Sequence, residues 1–135
     1  MATRWEAWIF SLFLALASVG CGQRATEILE SSTVLNTTDA KGPYEVKAVI
    51  LGDHQPFKIN LIYSTDAWQT NKSVEMKQIS PQVYQGAIPG QIAGQVIHYY
   101  IRVDDSENNI VVEPRDVLLD KPSPQKTYSF RILRD

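Results

Sequence analysis

Apolar and polar residues alternate with a period of two along most of the chain after residue 42. This period predicts β-strands that bury one side. The clearest stretch runs from residue 95 to residue 104. Its apolar face comprises Ile97, Tyr99, Ile101 and Val103, and its polar face comprises His98, Tyr100, Arg102 and Asp104. We expect the first face to be buried between two sheets.

The same alternation predicts further strands over residues 44–51, 57–64, 74–79, 83–88 and 127–133, and one more strand begins at Ile110. Clusters of Gly, Pro, Asn, Asp and Ser separate these stretches. The residues after 22 show no helical periodicity of useful length. Six or seven short strands with regular turn signals predict an all-β fold, an antiparallel β-sandwich.

Four segments carry a family resemblance, and they occur in the order GPYEV (42–46), LIYSTD (61–66), YQGAIP (84–89) and YYIRVDD (99–105). This order resembles the immunoglobulin-like or fibronectin type III-like modules that are appended to bacterial secreted proteins. The resemblance implies a β-sandwich and is nearly silent on function. Asn108 stands where these modules have a turn glycine, and Asn is the next-best residue for a left-handed backbone.

Residues 1–20 have the pattern of a secretory signal peptide, with a short start that carries Arg4 and an apolar core from Trp8 to Gly20. This core is too short to span a bilayer, which needs roughly twenty apolar residues. The exit, Ser18-Val19-Gly20-Cys21, resembles the bacterial lipobox, although Ser18 stands where a lipobox usually has a larger apolar residue. The resemblance implies cleavage before Cys21 and acylation of its thiol, and ordinary secretion with a free thiol is the alternative.

The lipobox resemblance also predicts the cellular address, which is the bacterial cell envelope. Gly22 is not the aspartate that favours retention in the inner membrane, so the outer membrane is favoured, on its periplasmic or surface face. Residues 21–41 are polar and rich in Ser and Thr, and they predict a lipidated cysteine followed by a flexible tether. The sandwich domain is then expected over residues 42–135.

Composition narrows the classes of partner. The chain is 44% apolar and 21% charged, which is typical of a folded domain, and its formal net charge is −2. The absence of a basic excess argues against nucleic acid as a partner and against anionic lipid held by charge alone. Because Cys21 is the only cysteine, no internal disulfide is available and the fold must depend on its core.

The loop over residues 66–71 holds the first candidate site, Asp66 and Trp68. Trp68 is the only tryptophan outside the predicted signal peptide, and it lies in a polar loop rather than on an apolar strand face. Loop aromatic residues recur in the recognition of proteins and glycans. The alternative is that the ring folds back over the sandwich as a structural lid.

An oxygen-rich cluster, Asp104, Asp105 and Asn108, is the second candidate site. Calcium takes six to eight oxygen ligands, so these side chains are candidate ligands. The favoured interpretation is a turn between strands in which Asp105 accepts hydrogen bonds from backbone amides. We expect no metal and no other cofactor.

Catalytic chemistry has little support in the sequence. His54 falls in a turn, His98 falls on the polar face of its strand, and no G-x-S-x-G pattern is present. Tyr99 is a candidate for the tyrosine that anchors a loop in sandwich folds. These residues predict a protein that is not an enzyme.

The sequence therefore predicts a membrane-anchored envelope lipoprotein that carries a non-catalytic binding module for another protein or a glycan. The alternative is an accessory subunit of an envelope secretion or assembly complex. A loop-tip site around Trp68 would favour the first function, and an open sheet edge that accepts an added strand would favour the second.

Overall fold

The computed structural model describes residues 23–135, which form two antiparallel β-sheets packed face to face. These residues contain nine strands: β1 (Glu27–Ser31), β2 (Tyr44–Leu51), β3 (Lys58–Ser64), β4 (Lys72–Glu75), β5 (Lys77–Ser80), β6 (Val83–Ile88), β7 (Val96–Asp104), β8 (Ile110–Glu113) and β9 (Tyr128–Arg131). The predicted all-β antiparallel sandwich is confirmed, with nine strands where six or seven were expected. The predicted signal peptide and lipobox lie outside the described residues.

The first sheet has the strand order β1-β2-β6-β5, and the second has the order β4-β3-β7-β8. Strand β7 is the longest and lies at the centre of the second sheet. It pairs with β3 on one side. On its other side β8 pairs with residues 101–104 and β9 pairs with residues 96–99. Two short strands therefore share one edge of β7.

The core lies between the sheets and is built from the alternating faces that the sequence predicted. The inward residues of β7 are fully buried, with Ile97, Tyr99, Ile101 and Val103 each 0% exposed. Strand β2 contributes Tyr44, Val46, Ala48 and Ile50 from the opposite sheet. The face assignment for β7 is confirmed, because a shift of one residue would have turned all four of its inward side chains to the outer face.

The prediction of a flexible tether over residues 21–41 is wrong for the segment that forms β1. Glu27–Ser31 pairs with β2 and places Ile28 in the core. The sequence signal was weak because β1 is short and contributes one buried apolar residue, while Leu29 is exposed. Its stability comes from backbone pairing with a strand that lies more than a dozen residues away along the chain, which a local pattern does not reveal.

The single strand predicted over residues 74–79 is two strands on different sheets. β4 pairs with β3 in the second sheet, and β5 pairs with β6 in the first. Met76 lies between them, is buried, and donates its backbone N–H to the carbonyl of Ile59 at 2.8 Å. The chain changes sheets at this residue while its side chain fills the core.

Two glycines meet where β2 begins and β6 ends. Gly42 has a φ of +58°, a conformation that glycine adopts at little cost. A Cβ atom at Gly90 would collide with the backbone carbonyl oxygens of Ala40 and Lys41. The GPY and IPG segments are therefore neighbours in space, and the close backbone approach explains a glycine in each.

The connections gather at two ends of the sandwich. The end that we call the N-terminal end contains residues 23–26, the β2–β3 connection and the β7–β8 turn, which are joined by hydrogen bonds. The opposite end, called here the C-terminal end, contains the loops 36–43, 65–71 and 89–95 and residues 132–135. Leu133 donates its N–H to Thr37, and Gly94 donates its N–H to Ile132, at 2.7 Å each.

The two faces of β7 differ in the stability that they provide. We expect Ile101→Ala to lower the free energy of unfolding by about 2–5 kcal/mol, because it leaves a cavity in a closely packed core. Arg102→Ala should cost less than about 1 kcal/mol, since it removes a partly exposed ion pair with Asp104. Urea denaturation of the two variants checks this order. Equal losses of unfolding free energy would contradict the assignment of Ile101 to the buried face and of Arg102 to the outer face.

Candidate functional site

The loop that carries Asp66 and Trp68 is a tight turn between β3 and β4. Ala67 and Trp68 have φ angles of 55° and 72°, and the Gln69 N–H donates to the Asp66 carbonyl at 3.3 Å. Two successive positive φ angles are typical of a type I′ turn, in which Asn and Gly are favoured. A bulky residue in this conformation is uncommon. Other contacts must therefore offset the backbone strain at Trp68.

Asp66 supplies several of those contacts from inside the loop. Its carboxylate accepts hydrogen bonds from the Ser64 hydroxyl at 2.7 Å, from the Thr70 N–H at 2.9 Å and from the Thr70 hydroxyl at 2.6 Å. The bonds from Thr70 and Ser64 lower the pKa of Asp66 to about 2. Both carboxylate oxygens are thus used to hold the turn.

The Trp68 ring lies back on the outer face of the second sheet. It is half-buried, its centroid is 5.5 Å from that of Tyr100, and its Nε1–H donates to the Thr127 hydroxyl at 3.2 Å. Tyr100 and Val117 are buried, although neither belongs to the core between the sheets. This arrangement favours the structural-lid alternative for Trp68, with the ring covering part of an outer face.

The β7–β8 turn is organised by one carboxylate. Asp105 accepts hydrogen bonds from the N–H groups of Glu107 and Asn109, both at 2.9 Å, and from the Asn109 side chain at 3.1 Å. The Thr26 hydroxyl donates a fourth bond at 2.5 Å. The prediction that Asp105 accepts from backbone amides is confirmed, and Asn108 has the left-handed φ of 63° expected of a residue in place of glycine.

These bonds determine the charge state of the turn. Burial raises the pKa of Asp105, but the hydrogen bonds from Thr26, Asn109 and Glu107 outweigh it and lower the pKa to about 2. Asp104, the neighbouring calcium candidate, lies on the outer face in an ion pair with Arg102 at 2.8 Å. Among residues 23–135 there is no cluster of three or more His, Cys, Asp or Glu side chains arranged to hold a metal ion.

The remaining polar candidates are also placed by the fold. Tyr99 is fully buried, and its hydroxyl accepts a hydrogen bond from the Val34 N–H at 3.2 Å. It thus anchors the connection between β1 and β2, a loop that the sequence pattern did not identify as its partner. His98 is half-buried on the outer face, and burial lowers its pKa. His54 contributes its backbone carbonyl to the Ser106 N–H.

Within residues 23–135 strand β8 pairs with β7 alone, and some of its backbone groups point away from that partner. Asp105 donates its N–H to the Asn109 carbonyl, so the hydrogen-bonded pairs of this ladder continue through Val103 and Val111. In an antiparallel ladder the backbone N–H and C=O groups of every second residue point away from the partner strand. In β8 these residues are Ile110 and Val112. Within residues 23–135, no backbone or side-chain hydrogen bond reaches these outward groups.

The other strand on this edge of β7 is covered. Arg131 of β9 donates its outward N–H to the Asn36 side chain at 2.8 Å, and its carbonyl accepts from the Thr37 N–H at 3.1 Å. The segment around residue 37 thus lines β9 as an added strand would, with a parallel bridge between Thr37 and Ile132. On its N-terminal side this segment crosses to β1 in the other sheet, so it lines β9 but does not reach β8. Within the part of the chain that the structure describes, the β8 half of the edge stays open.

The other edge strands carry features that oppose pairing with a further strand. β1 and β5 each contain an irregular register, and β5 and β4 each begin with a lysine. Bulges and edge lysines are common protections against edge-to-edge association. β8 has neither feature: its register is regular, and its first three residues, Ile110, Val111 and Val112, are β-branched. It is the edge best suited to accept another strand.

An open groove runs beside β8. Its volume is about 340 Å³, and it lies between the edge strands of the two sheets, lined by Thr26, Glu27, Ile28, Ile110, Val111, Val112, Glu113 and Arg115. The Ile110 side chain is 47% exposed. An extended segment of another chain in this groove could pair with the outward backbone groups of β8 on one wall. It would contact apolar side chains on both walls. This edge was not visible in the sequence, where residues 110–112 predicted only the start of a strand.

The contacts of Trp68 lead to a measurable expectation. Trp68→Ala should lower the free energy of unfolding by about 1–2 kcal/mol, because the half-buried ring contributes part of the 1.5–3 kcal/mol of a buried aromatic side chain. Thermal denaturation followed by circular dichroism checks this value. Acrylamide should quench Trp68 fluorescence in the folded protein much less than in the urea-unfolded protein.

The backbone at residue 68 supplies an internal control. Trp68→Gly removes the same ring but relaxes the positive φ, so it should be more stable than Trp68→Ala by about 1 kcal/mol. A fully quenched ring, together with an unchanged melting temperature in both variants, would show that Trp68 is free in solution. The loop-tip binding hypothesis would then regain its support.

Comparison of the sequence with models of known protein families and with curated proteins gives no match. Residues 23–135 contain no helix that is both long enough and apolar enough to cross a membrane.

Proposed function

We propose that this chain is a membrane-anchored envelope lipoprotein whose β-sandwich binds a partner protein by strand addition at β8. The observation that carries this proposal is the open edge of β8, with outward backbone groups on Ile110 and Val112 beside an apolar groove. An extended segment of the partner would pair with β8 and extend the second sheet by one strand. Main-chain hydrogen bonds would provide affinity, and the groove side chains would provide selectivity.

The proposed role is binding rather than catalysis. The carboxylates that were candidates for chemistry are used by the fold, because Asp66 holds the β3–β4 turn and Asp105 holds the β7–β8 turn. The Trp68 ring is packed on Tyr100, which lowers the support for a loop-tip glycan site. The strand edge then gives a protein partner more support than a glycan partner.

Strand addition also agrees with the alternative function, an accessory subunit of an envelope secretion or assembly complex. Both functions use the same edge, and they differ in the identity of the partner. If this chain is a subunit of an assembly complex, its partner is another component of that complex, with a segment that is extended before it binds. The partner recovered by the cross-linking experiment below distinguishes the two.

The anchor is tested first. We expect Cys21→Ser to move the protein from the membrane fraction to the soluble fraction, because each acyl methylene contributes about 0.8 kcal/mol of membrane affinity and two or more chains hold a protein firmly. Fractionation and immunoblotting of host cells measure the change, and metabolic labelling with a fatty acid should mark the parent only. Equal membrane association of parent and variant would refute the lipid anchor.

The β8 edge is tested by a pair of matched substitutions. Ile110→Lys places a gatekeeper lysine on the open edge, where its cross-strand neighbour is Asp104. Ile79→Lys makes the same change on β5, and the two side chains have similar exposed fractions of 47% and 53%. We expect only Ile110→Lys to weaken partner binding, by about tenfold or more, which corresponds to about 1.4 kcal/mol.

Two measurements identify the partner and its mode of binding. A photo-cross-linking residue at Val112 in native membranes should give a defined adduct that Ile110→Lys removes and Ile79→Lys retains. In the purified complex, hydrogen exchange should slow at the amides of Ile110 and Val112, while the Val111 amide is protected with or without partner. An adduct that survives Ile110→Lys, or unchanged exchange at residues 110 and 112, would contradict strand addition.

A further inference from the structure

The first described residues are hydrogen-bonded to one end of the sandwich. Arg24 donates its N–H to the Asp53 carboxylate at 2.6 Å, and its carbonyl accepts from the Asp53 N–H at 3.1 Å. Thr26 then binds Asp105 through its hydroxyl. These contacts join the chain to the β2–β3 connection and to the β7–β8 turn before β1 begins. The sandwich therefore continues to within three residues of Cys21.

This short separation limits how far the domain can lie from an anchor at Cys21. Three residues span at most about 11 Å when fully extended. The nine residues of β7 span about 30 Å, which approximates the length of the sandwich. A chain held at Cys21 therefore keeps the N-terminal end close to the lipid headgroups, and the C-terminal end lies roughly one strand length further away.

We infer that the N-terminal end of the sandwich, formed by residues 23–26, 52–57 and 105–109, faces the membrane surface and lies against its headgroups. The C-terminal end, with the loops 65–71 and 89–95, points away from the bilayer. This inference rests on the proposed acylation of Cys21. It goes beyond that proposal, because a lipid anchor on a long flexible tether would leave the domain free to tumble.

The surface chemistry of the N-terminal end agrees with this orientation. The N-terminal end exposes Arg24, Asp53 and Glu107, which suit contact with polar headgroups rather than insertion into hydrocarbon. Strand β8 begins directly after the membrane-facing turn, so its open edge would meet a partner segment close to the bilayer.

Site-directed thiol labelling tests the orientation in the full-length, membrane-anchored protein. Single cysteines replace exposed residues at the N-terminal end, as Ser106→Cys and Gln55→Cys, and at the C-terminal end, as Ala93→Cys and Gln69→Cys. Acylated Cys21 offers no thiol, so only the new cysteine reacts. The probe is a bulky maleimide-polyethylene glycol applied to phosphatidylcholine vesicles that carry the protein. Two positions are labelled at each end, so that the ends can still be compared if one variant fails to fold.

Each labelling rate is compared with the rate for the same cysteine in the soluble Cys21→Ser variant. The serine at position 21 of that variant does not react with the maleimide. We expect anchoring to slow labelling at residues 55 and 106 by about tenfold and to change labelling at residues 69 and 93 little, because the anchor holds one end at the interface. Equal ratios at the two ends, or slower labelling at the C-terminal end, would overturn the orientation while leaving the anchor intact. Release of the parent into the soluble fraction would refute the anchor itself, and the orientation with it.

Discussion

The burial of one face of β7 between the two sheets fixes the positions of the strands and loops around it. Ile97, Tyr99, Ile101 and Val103 are fully buried, and each is worth roughly 1.5–3 kcal/mol relative to exposure. Because this face is fixed, the register of β3, β8 and β9 against β7 is fixed as well. The buried Tyr99 hydroxyl extends the constraint to the β1–β2 connection through Val34.

The same strand determines which part of the surface stays open. β7 is nine residues long, and its outer edge is divided between β8 and β9. The connection from β1 to β2 passes along β9 and satisfies its outward groups near Thr37. β8 lies beyond the reach of that segment, so its outward backbone groups form no hydrogen bond within residues 23–135. The open edge is thus a consequence of how one strand is shared.

The polar residues that suggested chemistry have structural tasks. Asp66 and Asp105 each accept several hydrogen bonds within a tight turn, and in both cases those bonds lower the pKa of the carboxylate. Trp68 occupies a strained backbone position that its contacts with Tyr100 and Thr127 support. Acidic and aromatic residues in loops are therefore an uncertain guide to a binding site when the loops are this short. The strand edge, which carries no unusual residue, is the more informative surface.

Local sequence patterns were enough to predict the fold class, the buried face of β7 and the role of Asp105 in its turn. These features follow from local periodicity and turn chemistry, which act over a few residues. Three features could not be predicted in this way: Glu27–Ser31 is a strand, the chain changes sheets at Met76, and within residues 23–135 β8 is open while β9 is covered. Each of these depends on backbone pairing between distant segments, and such pairing leaves no pattern in the side chains of either segment alone.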